Sequence, residues 1–345
     1  MKKTSLSDIA KSLNVSSALV SIVLNDRGNE KGISPVTQKK VLEKAREMNY
    51  TPNMLARGLR LGTSKTIGLI VADISNVFYS KIAKRIENVA EEQGYNLIFC
   101  SSDEDPDKEI RLIEMLRERQ VDGIIVSTSQ SEPSVFLRLK REKYPFVLID
   151  RQLSRVSTHY VGVDNFNGAY EATSHLIRQG YNKIGLLRIS PNHLKTINDR
   201  EAGYRKALKD KGIRVNSKLI REINCKDITS DVRRVMTELL QPPQSINAIF
   251  SSNNNVAVAC LEYLNEMNIR IPQDVAMISF DDIDLFRFSY PAITSIAQPV
   301  EDIGESAFNI LLENINKTSN GQWQQVVLPV EMIQRRSCGA FFNSK

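Results

Sequence analysis

From Lys65 onward, short runs rich in β-branched residues alternate with amphipathic stretches, and this alternation constrains the fold more than any other feature of the chain. Runs at 66–72, 97–101, 123–127, 146–150, 183–187, 248–251 and 275–280 read as strands. Helical periodicity lies near 79–93, 106–119, 166–179, 200–211, 229–240, 254–267 and 300–316. Such alternation builds parallel sheets covered by helices on both faces, an α/β fold. About 280 residues exceed one comfortable core, so two subdomains are expected in this body. No run approaches the roughly 18 consecutive apolar residues of a membrane span.

The first 62 residues follow a different grammar, that of short helices. Ser5-Leu6-Ser7-Asp8 has capping-box spacing, and Leu6, Ile9, Ala10 and Leu13 follow at helical intervals. Asn14-Val15-Ser16 breaks that helix, and Ser16 can cap a second over about 17–24 with Leu19, Val20, Val23 and Leu24 as its apolar stripe. Ser34-Pro35 starts a third, expected to turn Val36, Val41, Leu42 and Ala45 inward. Pro52 biases Thr51 away from helix. The segment 54–60 is too short to be a stable helix alone.

Charge divides along the same line. The net charge is +6. Residues 1–62 hold eleven Lys and Arg against five Asp and Glu, and the other 283 residues hold 35 of each. A basic head on a neutral body suits a polyanion-binding module joined to a body with another task. The same charge also fits a solvated helical face.

Little points to catalysis. Cys100, Cys225, Cys260 and Cys338 form no C-x-x-C pair, and the three histidines, His159, His175 and His193, have no metal-ligand spacing. There is no phosphate-binding glycine loop and no G-x-S-x-G. No enzyme activity, cofactor or metal is expected. Polar residues arrive too early for a secretory apolar core, so a cytoplasmic location without membrane attachment is expected.

Two short helices joined by Asn14-Val15-Ser16 fit a helix-turn-helix, whose second helix enters the major groove, although a plain three-helix bundle would also suit them. The order of motifs narrows this. Ser7-Asp8-Ile9-Ala10, Val15-Ser16, Val20-Ser21, Leu24-Asn25, Val41, Asn49-Tyr50, Pro52-Asn53, Ala56, Arg57 and Leu59 resemble the lactose-repressor (LacI/GalR) family of bacterial regulators. In the body, Ile67-Gly68-Leu69-Ile70, Asp73-Ile74-Ser75-Asn76, Val121-Asp122-Gly123-Ile124, Arg200 before Ala202-Gly203-Tyr204, Pro272-Gln273-Asp274-Val275, Phe280-Asp281-Asp282 and Gln298-Pro299 agree with it.

The resemblance implies a DNA-binding head at 1–50, a hinge helix and linker at 51–64, and an effector-binding and dimerisation body at 65–345. The body would resemble the periplasmic sugar-binding proteins, with subdomains of about 65–164 with 295–325 and 165–294 with 326–340. It implies homodimers on near-palindromic operators, with a small effector, a sugar or sugar derivative, setting DNA affinity, and a repressor as the favoured sense. A sugar-binding protein without DNA regulation is the alternative. Carried over by position, base-edge contacts fall on Ser17, Ala18 and Ile22. Phosphate or framework contacts fall on Ser7, Ser16, Ser21, Asn25, Ser34, Thr37 and Tyr50. Asn53, Ala56, Arg57 and Leu59 would belong to the hinge, with Leu59 as a minor-groove wedge. A flexible linker with Leu59 packed on the body is the other reading.

Position 22 is commonly Arg in the family and is Ile here. Ile22 and Ala18 can touch a thymine methyl but cannot donate to guanine, so thymine is expected at that half-site position.

In a two-lobed α/β body, ligands bind at the carboxyl ends of strands. Asp150, Asn253 and Asp281 sit at or just past strand ends, and Arg200 opens a helix after a strand and loop. Carboxylate, amide and guanidinium can grip hydroxyls. Equally, an aspartate at a strand end is often a helix cap. The family places effector contacts at positions matching these four. Phe78 and Tyr79 could form an aromatic wall, and Gln298 joins the same group. Asn254 departs from the family's usual Asp, and Val77 from its Pro. His193 is expected to be an exposed loop residue. With no heptad tail after Arg335-Arg336, a dimer is favoured, with 79–93 and 160–179 as interface surfaces.

Overall fold

The structure, a computed structural model, describes residues 4–50, 62–153, 156–318 and 321–340. It divides into two compact units, Met1–Ser64 and Lys65–Lys345.

The first unit contains α1 (Leu6–Leu13), α2 (Ser17–Leu24) and α3 (Pro35–Glu47). Ser5 and Asp8 close the capping box at the start of α1. Asn14, left-handed at φ 52°, ends that helix, and its N–H donates to the carbonyls of Ala10 and Lys11. The axes of α1 and α2 turn through 111°, within the helix-turn-helix range. Ile9, Ala10, Val20, Val23, Val41 and Ala45 form the core, flanked by Leu6, Leu13, Leu19, Leu24 and Met48.

Two expected core residues lie outside it: Val36 is 65% exposed and Leu42 43%. The inward phase of α3 is set by Val41, Ala45 and Met48 at four- and three-residue steps. Val36 and Leu42 fall off that stripe.

The second unit holds two six-stranded sheets, each with helices on both faces. In chain order the first lobe contributes β1 (Thr66–Val71), α4 (Val77–Glu92), β2 (Asn96–Ser101), α5 (Pro106–Glu118), β3 (Gly123–Val126), α6 (Ser134–Arg141), β4 (Phe146–Ile149) and β5 (Tyr160–Val163). The second lobe follows with α7 (Asn165–Arg178), β6 (Ile184–Ile189), α8 (Lys195–Asp210), β7 (Ile220–Ile223), α9 (Ile228–Leu240), β8 (Ala248–Ser251), α10 (Asn254–Glu266), β9 (Ala276–Phe280), α11 (Asp284–Phe288) and β10 (Thr294–Ala297). The chain then returns through α12 (Val300–Ile315) and β11 (Gln325–Leu328) to the first lobe, and ends with β12 (Glu331–Ile333) in the second.

The sheet orders are β11-β5-β4-β3-β1-β2 and β12-β10-β9-β8-β6-β7. All pairings are parallel except β10 with β12. The lobe crossings therefore fall at Asp164, at Gln298-Pro299 and at residues 329–330. Residues 295–297 stay with the second lobe because β10 pairs with β9, and 326–328 stay with the first because β11 pairs with β5.

One glycine matters for the site. A Cβ on Gly203 would lie 2.2 Å from the Phe166 carbonyl oxygen, so only glycine lets α8 approach α7 this closely. That approach brings Arg200 on α8 against Asn165 on α7.

Candidate functional site

In the head, Ser16 Oγ accepts the Leu19 N–H at 3.1 Å and starts α2. Ser17 and Ala18 are exposed on its first turn, Ser21 and Ile22 are half-buried one turn on, and Asn25 is exposed. These residues share one face, opposite the buried Val20 and Val23. Asn25 Nδ2 donates to the Ser21 carbonyl at 2.7 Å. Ser34 Oγ caps α3 by accepting the Thr37 N–H at 3.2 Å and lies 2.8 Å from Thr37 Oγ1. Ser7 is exposed on α1, whereas Tyr50 packs half-buried on the core. The α2 face carries no acidic side chain, and the N-termini of α2 and α3 offer the N–H groups that suit phosphate. Asn53, Ala56, Arg57 and Leu59 lie outside the described residues.

In the body, Asp150, Arg200, Asn253, Asp281, Phe78, Tyr79 and Gln298 all line one cleft between the lobes. Asp150 follows β4 and Asp281 follows β9, the same place in each sheet. Both are left-handed, at φ 58° and 72°, a conformation Asp tolerates better than most side chains.

On the first-lobe side, the Tyr79 hydroxyl donates to Asp150 Oδ2 at 2.8 Å and accepts from Ser127 Oγ at 3.0 Å. Burial pushes the Tyr79 phenol well above its usual pKa, which keeps it a donor. Arg151 grips Glu104 with both terminal nitrogens, at 2.7 and 2.6 Å, and its Nε lies 3.7 Å from Asp150 Oδ2. Behind this pair Glu109 is fully buried, accepting the Thr128 hydroxyl at 2.7 Å and the Ser129 N–H at 2.6 Å. Burial pushes its carboxyl up to about 7 against those two bonds. Phe78 is packed edge-on to Tyr79 at 5.0 Å and is largely core, so little of it forms a wall.

On the second-lobe side, Arg200 is 4% exposed, and its guanidinium lies 3.6 Å above the Phe280 ring. Nε donates to Asn165 Oδ1 at 2.7 Å and Nη1 to the Ser252 carbonyl. Asp281 accepts from Gln298 Nε2 at 2.6 Å and from the Asn254 N–H at 3.3 Å. Burial raises its carboxyl pKa, opposed by Arg200 and Gln298. Asn253 caps α10 through Oδ1, 2.9 Å from the Val256 N–H.

Among the described residues, three contacts tie the lobes together around this cleft. Asn254 Nδ2 donates to Asn76 Oδ1 at 3.0 Å, a bond that the family's usual aspartate could not donate. Lys81 pairs with Asp284 at 3.7 Å. His193, exposed as expected, places Nε2 3.2 Å from the Ser129 carbonyl. Glu104 and Arg151 line the cleft without having been singled out from sequence, and Asp73 and Asn76, named there only within a family motif, line it too. Arg151, adjacent to a strand-end aspartate, was the readable one.

The family described as "Bacterial regulatory proteins, lacI family" matches residues 5–53, and "Periplasmic binding proteins and sugar binding domain of LacI family" matches 64–336. The chain is 34% identical over 339 residues, 97% of its length and 99% of the relative's, to the HTH-type transcriptional regulator RegA of Clostridium acetobutylicum. It is 31% identical over 345 residues, 99% of both chains, to the ribose operon repressor of Halalkalibacterium halodurans. Among solved structures, a complex of the transcriptional regulator CelR with cellobiose superposes with a TM-score of 0.72 at 25% identity, covering 97% of this chain and 100% of that one. With both family regions present in order, the chain belongs to the LacI family: it is a DNA-binding transcriptional regulator whose larger unit is the family's sugar-binding effector domain.

Proposed function

We propose that the interlobe cleft is the effector site and that a sugar or sugar derivative bound there sets operator affinity. The observation that carries this is the convergence of Asp150 and Tyr79 from one lobe with Arg200, Asn253 and Asp281 from the other on a single cleft. A ligand held by both lobes stabilises the arrangement in which both reach it, and shifts the population by its differential affinity. Phe78 and Gln298 position Tyr79 and Asp281. The expected outcome is that a cleft sugar raises the melting temperature of the full chain by mass action and changes its affinity for operator DNA. A sugar that does the first without the second would break the link to regulation.

In the head, Ser17, Ala18 and Ile22 meet base edges. Ser7, Ser16, Ser21, Asn25, Ser34, Thr37 and Tyr50 contact or frame the phosphate backbone, and 51–64 act as the hinge, with Asn53, Ala56, Arg57 and Leu59 at the minor groove. Selection from random duplexes should enrich thymine opposite Ile22, and Ile22→Arg should move that preference to guanine. Enrichment of guanine by the parent chain would contradict the assignment.

Two heads are needed for a near-palindromic operator, so the working form is a homodimer. The surfaces at 79–93 and 160–179 face the second copy, and Ile74 (49% exposed), Val77, Leu285 (50%), Phe288 (75%) and Tyr290 (90%), near the Lys81–Asp284 pair, add exposed apolar surface for it. The protein acts by binding rather than catalysis, as a repressor, in the cytoplasm where its DNA lies.

A further inference from the structure

Resting on the cleft being the effector site, we propose that its effector is an uncharged polyhydroxylated ring, and that Glu104, by occupying Arg151, keeps phosphorylated and acidic sugars out. The cleft is lined by four carboxylates, on Asp73, Glu104, Asp150 and Asp281, against two guanidiniums, on Arg151 and Arg200. The Arg151 guanidinium offers no open fork, and two of the three Arg200 nitrogens are already engaged. Arg151, 8% exposed, has both terminal nitrogens on the two oxygens of Glu104 and a third contact at Asp150. The bidentate geometry that a phosphate or carboxylate would use is already taken by Glu104. Arg200 spends Nε on Asn165 and Nη1 on the Ser252 carbonyl, with one face against Phe280.

An anion would therefore enter a site whose lining has four carboxyl groups against two guanidiniums, and would have to displace Glu104 to reach the Arg151 fork. A cation would meet two buried guanidiniums. A hydroxyl both donates and accepts, which suits what is left. The hydrogen bonds and ion contact made by Asp150 fall on Oδ2, leaving Oδ1 to accept. Asn76 and Asn253 add amide groups to the lining, and Ile189, Leu194 and Ile197 add an apolar wall for the C–H face of a ring.

The test is calorimetric titration and thermal shift on the full chain. The probes are ribose, xylose, glucose, galactose, fructose and cellobiose, each against its phosphate, uronate or aldonate. At least one neutral sugar is expected to bind, and at least about tenfold more tightly than its charged counterparts. A charged form that binds the parent as tightly as its neutral form overturns the proposal. If no sugar of either class binds, the effector reading of the cleft falls, and the proposal with it. Glu104→Gln keeps an acceptor for Arg151 but removes the matched charge, and should narrow the preference at least about fivefold. Glu104→Gln combined with Arg151→Gln, lacking both charges, should keep the parent preference. An unchanged preference in Glu104→Gln, with circular dichroism like the parent's, removes the pair from the mechanism. If that variant does not fold, the parent's own neutral-to-charged ratio decides.

Discussion

The two lobes share one strand order and place an aspartate, in the same left-handed conformation, at the end of the same strand, yet they arm it differently. In the first lobe the nearby cation, Arg151, is bound to Glu104, and Asp150 is held by the neutral Tyr79 hydroxyl. In the second, Asp281 is held by Gln298 and the Asn254 N–H, and the cation, Arg200, lines the same cleft anchored by the neutral Asn165 and Ser252 groups. Two copies of one architecture thus supply an acceptor with its cation locked away and an acceptor with its cation presented. Strand order places the aspartates, and the helices and loops around them decide what each can bind.

This contrast can be broken most sharply at Arg200. Arg200→Met removes the second-lobe guanidinium from the cleft, and truncating a desolvated charged group that hydrogen-bonds the ligand costs about 2–5 kcal/mol. Affinity for the cleft sugar should fall by roughly 100-fold or more in titration calorimetry, while DNA binding by the unliganded chain persists. A change of less than about threefold would mean the second-lobe cation is structural only.

The next effect compares the two aspartate holders. Tyr79→Phe removes the side-chain donor of Asp150 with the strongest geometry and should weaken sugar binding roughly tenfold, as for a hydrogen bond to a charged group. Gln298→Leu should do less, because the Asn254 N–H still donates to Asp281. The reverse order would show that the first lobe is the weaker partner.

The smallest effect concerns stability. Glu109 is buried with its carboxyl pushed up from 4.5 to about 7. A raised carboxyl pKa means the folded state holds the proton more tightly than the unfolded chain. This contribution is fully present below about pH 4.5 and is lost as pH rises through about 7. Glu109→Gln should therefore melt a few degrees above the parent at pH 8, with the difference vanishing toward pH 5 in thermal scans. A constant offset across that range would show that Glu109 does not titrate.

Much of this was legible because it depends on local periodicity. The α/β alternation, the Ser5–Asp8 box and the caps at Ser16 and Ser34 are all short-range patterns. What escaped is non-local or brief. The strands Ile220–Ile223, Gln325–Leu328 and Glu331–Ile333 have three or four residues and take their stability from a neighbour. The helix Ser134–Arg141 begins without a side-chain cap. Val36 and Leu42 were read inward because they are apolar, but the phase of α3 is set by what faces Val41 and Ala45. In the cleft, strand-end residues were readable, whereas Glu104 pairs with Arg151 across 47 positions. Glu109 did leave a signal: it shares the buried stripe of its helix with Ile113 and Leu116, where a charge needs an explanation.

The triple crossing between lobes has a consequence for how the molecule is made on the ribosome. An edge strand of the first lobe, Gln325–Leu328, emerges only after nearly all of the second lobe has been translated. The nascent first lobe must therefore wait with an open sheet edge and with its layer around Phe308 and Leu311 missing. Neither half can be cut out as a contiguous stretch, so a recombination or frameshift that loses the residues from about 290 onward leaves two unfinished sheets rather than one intact lobe.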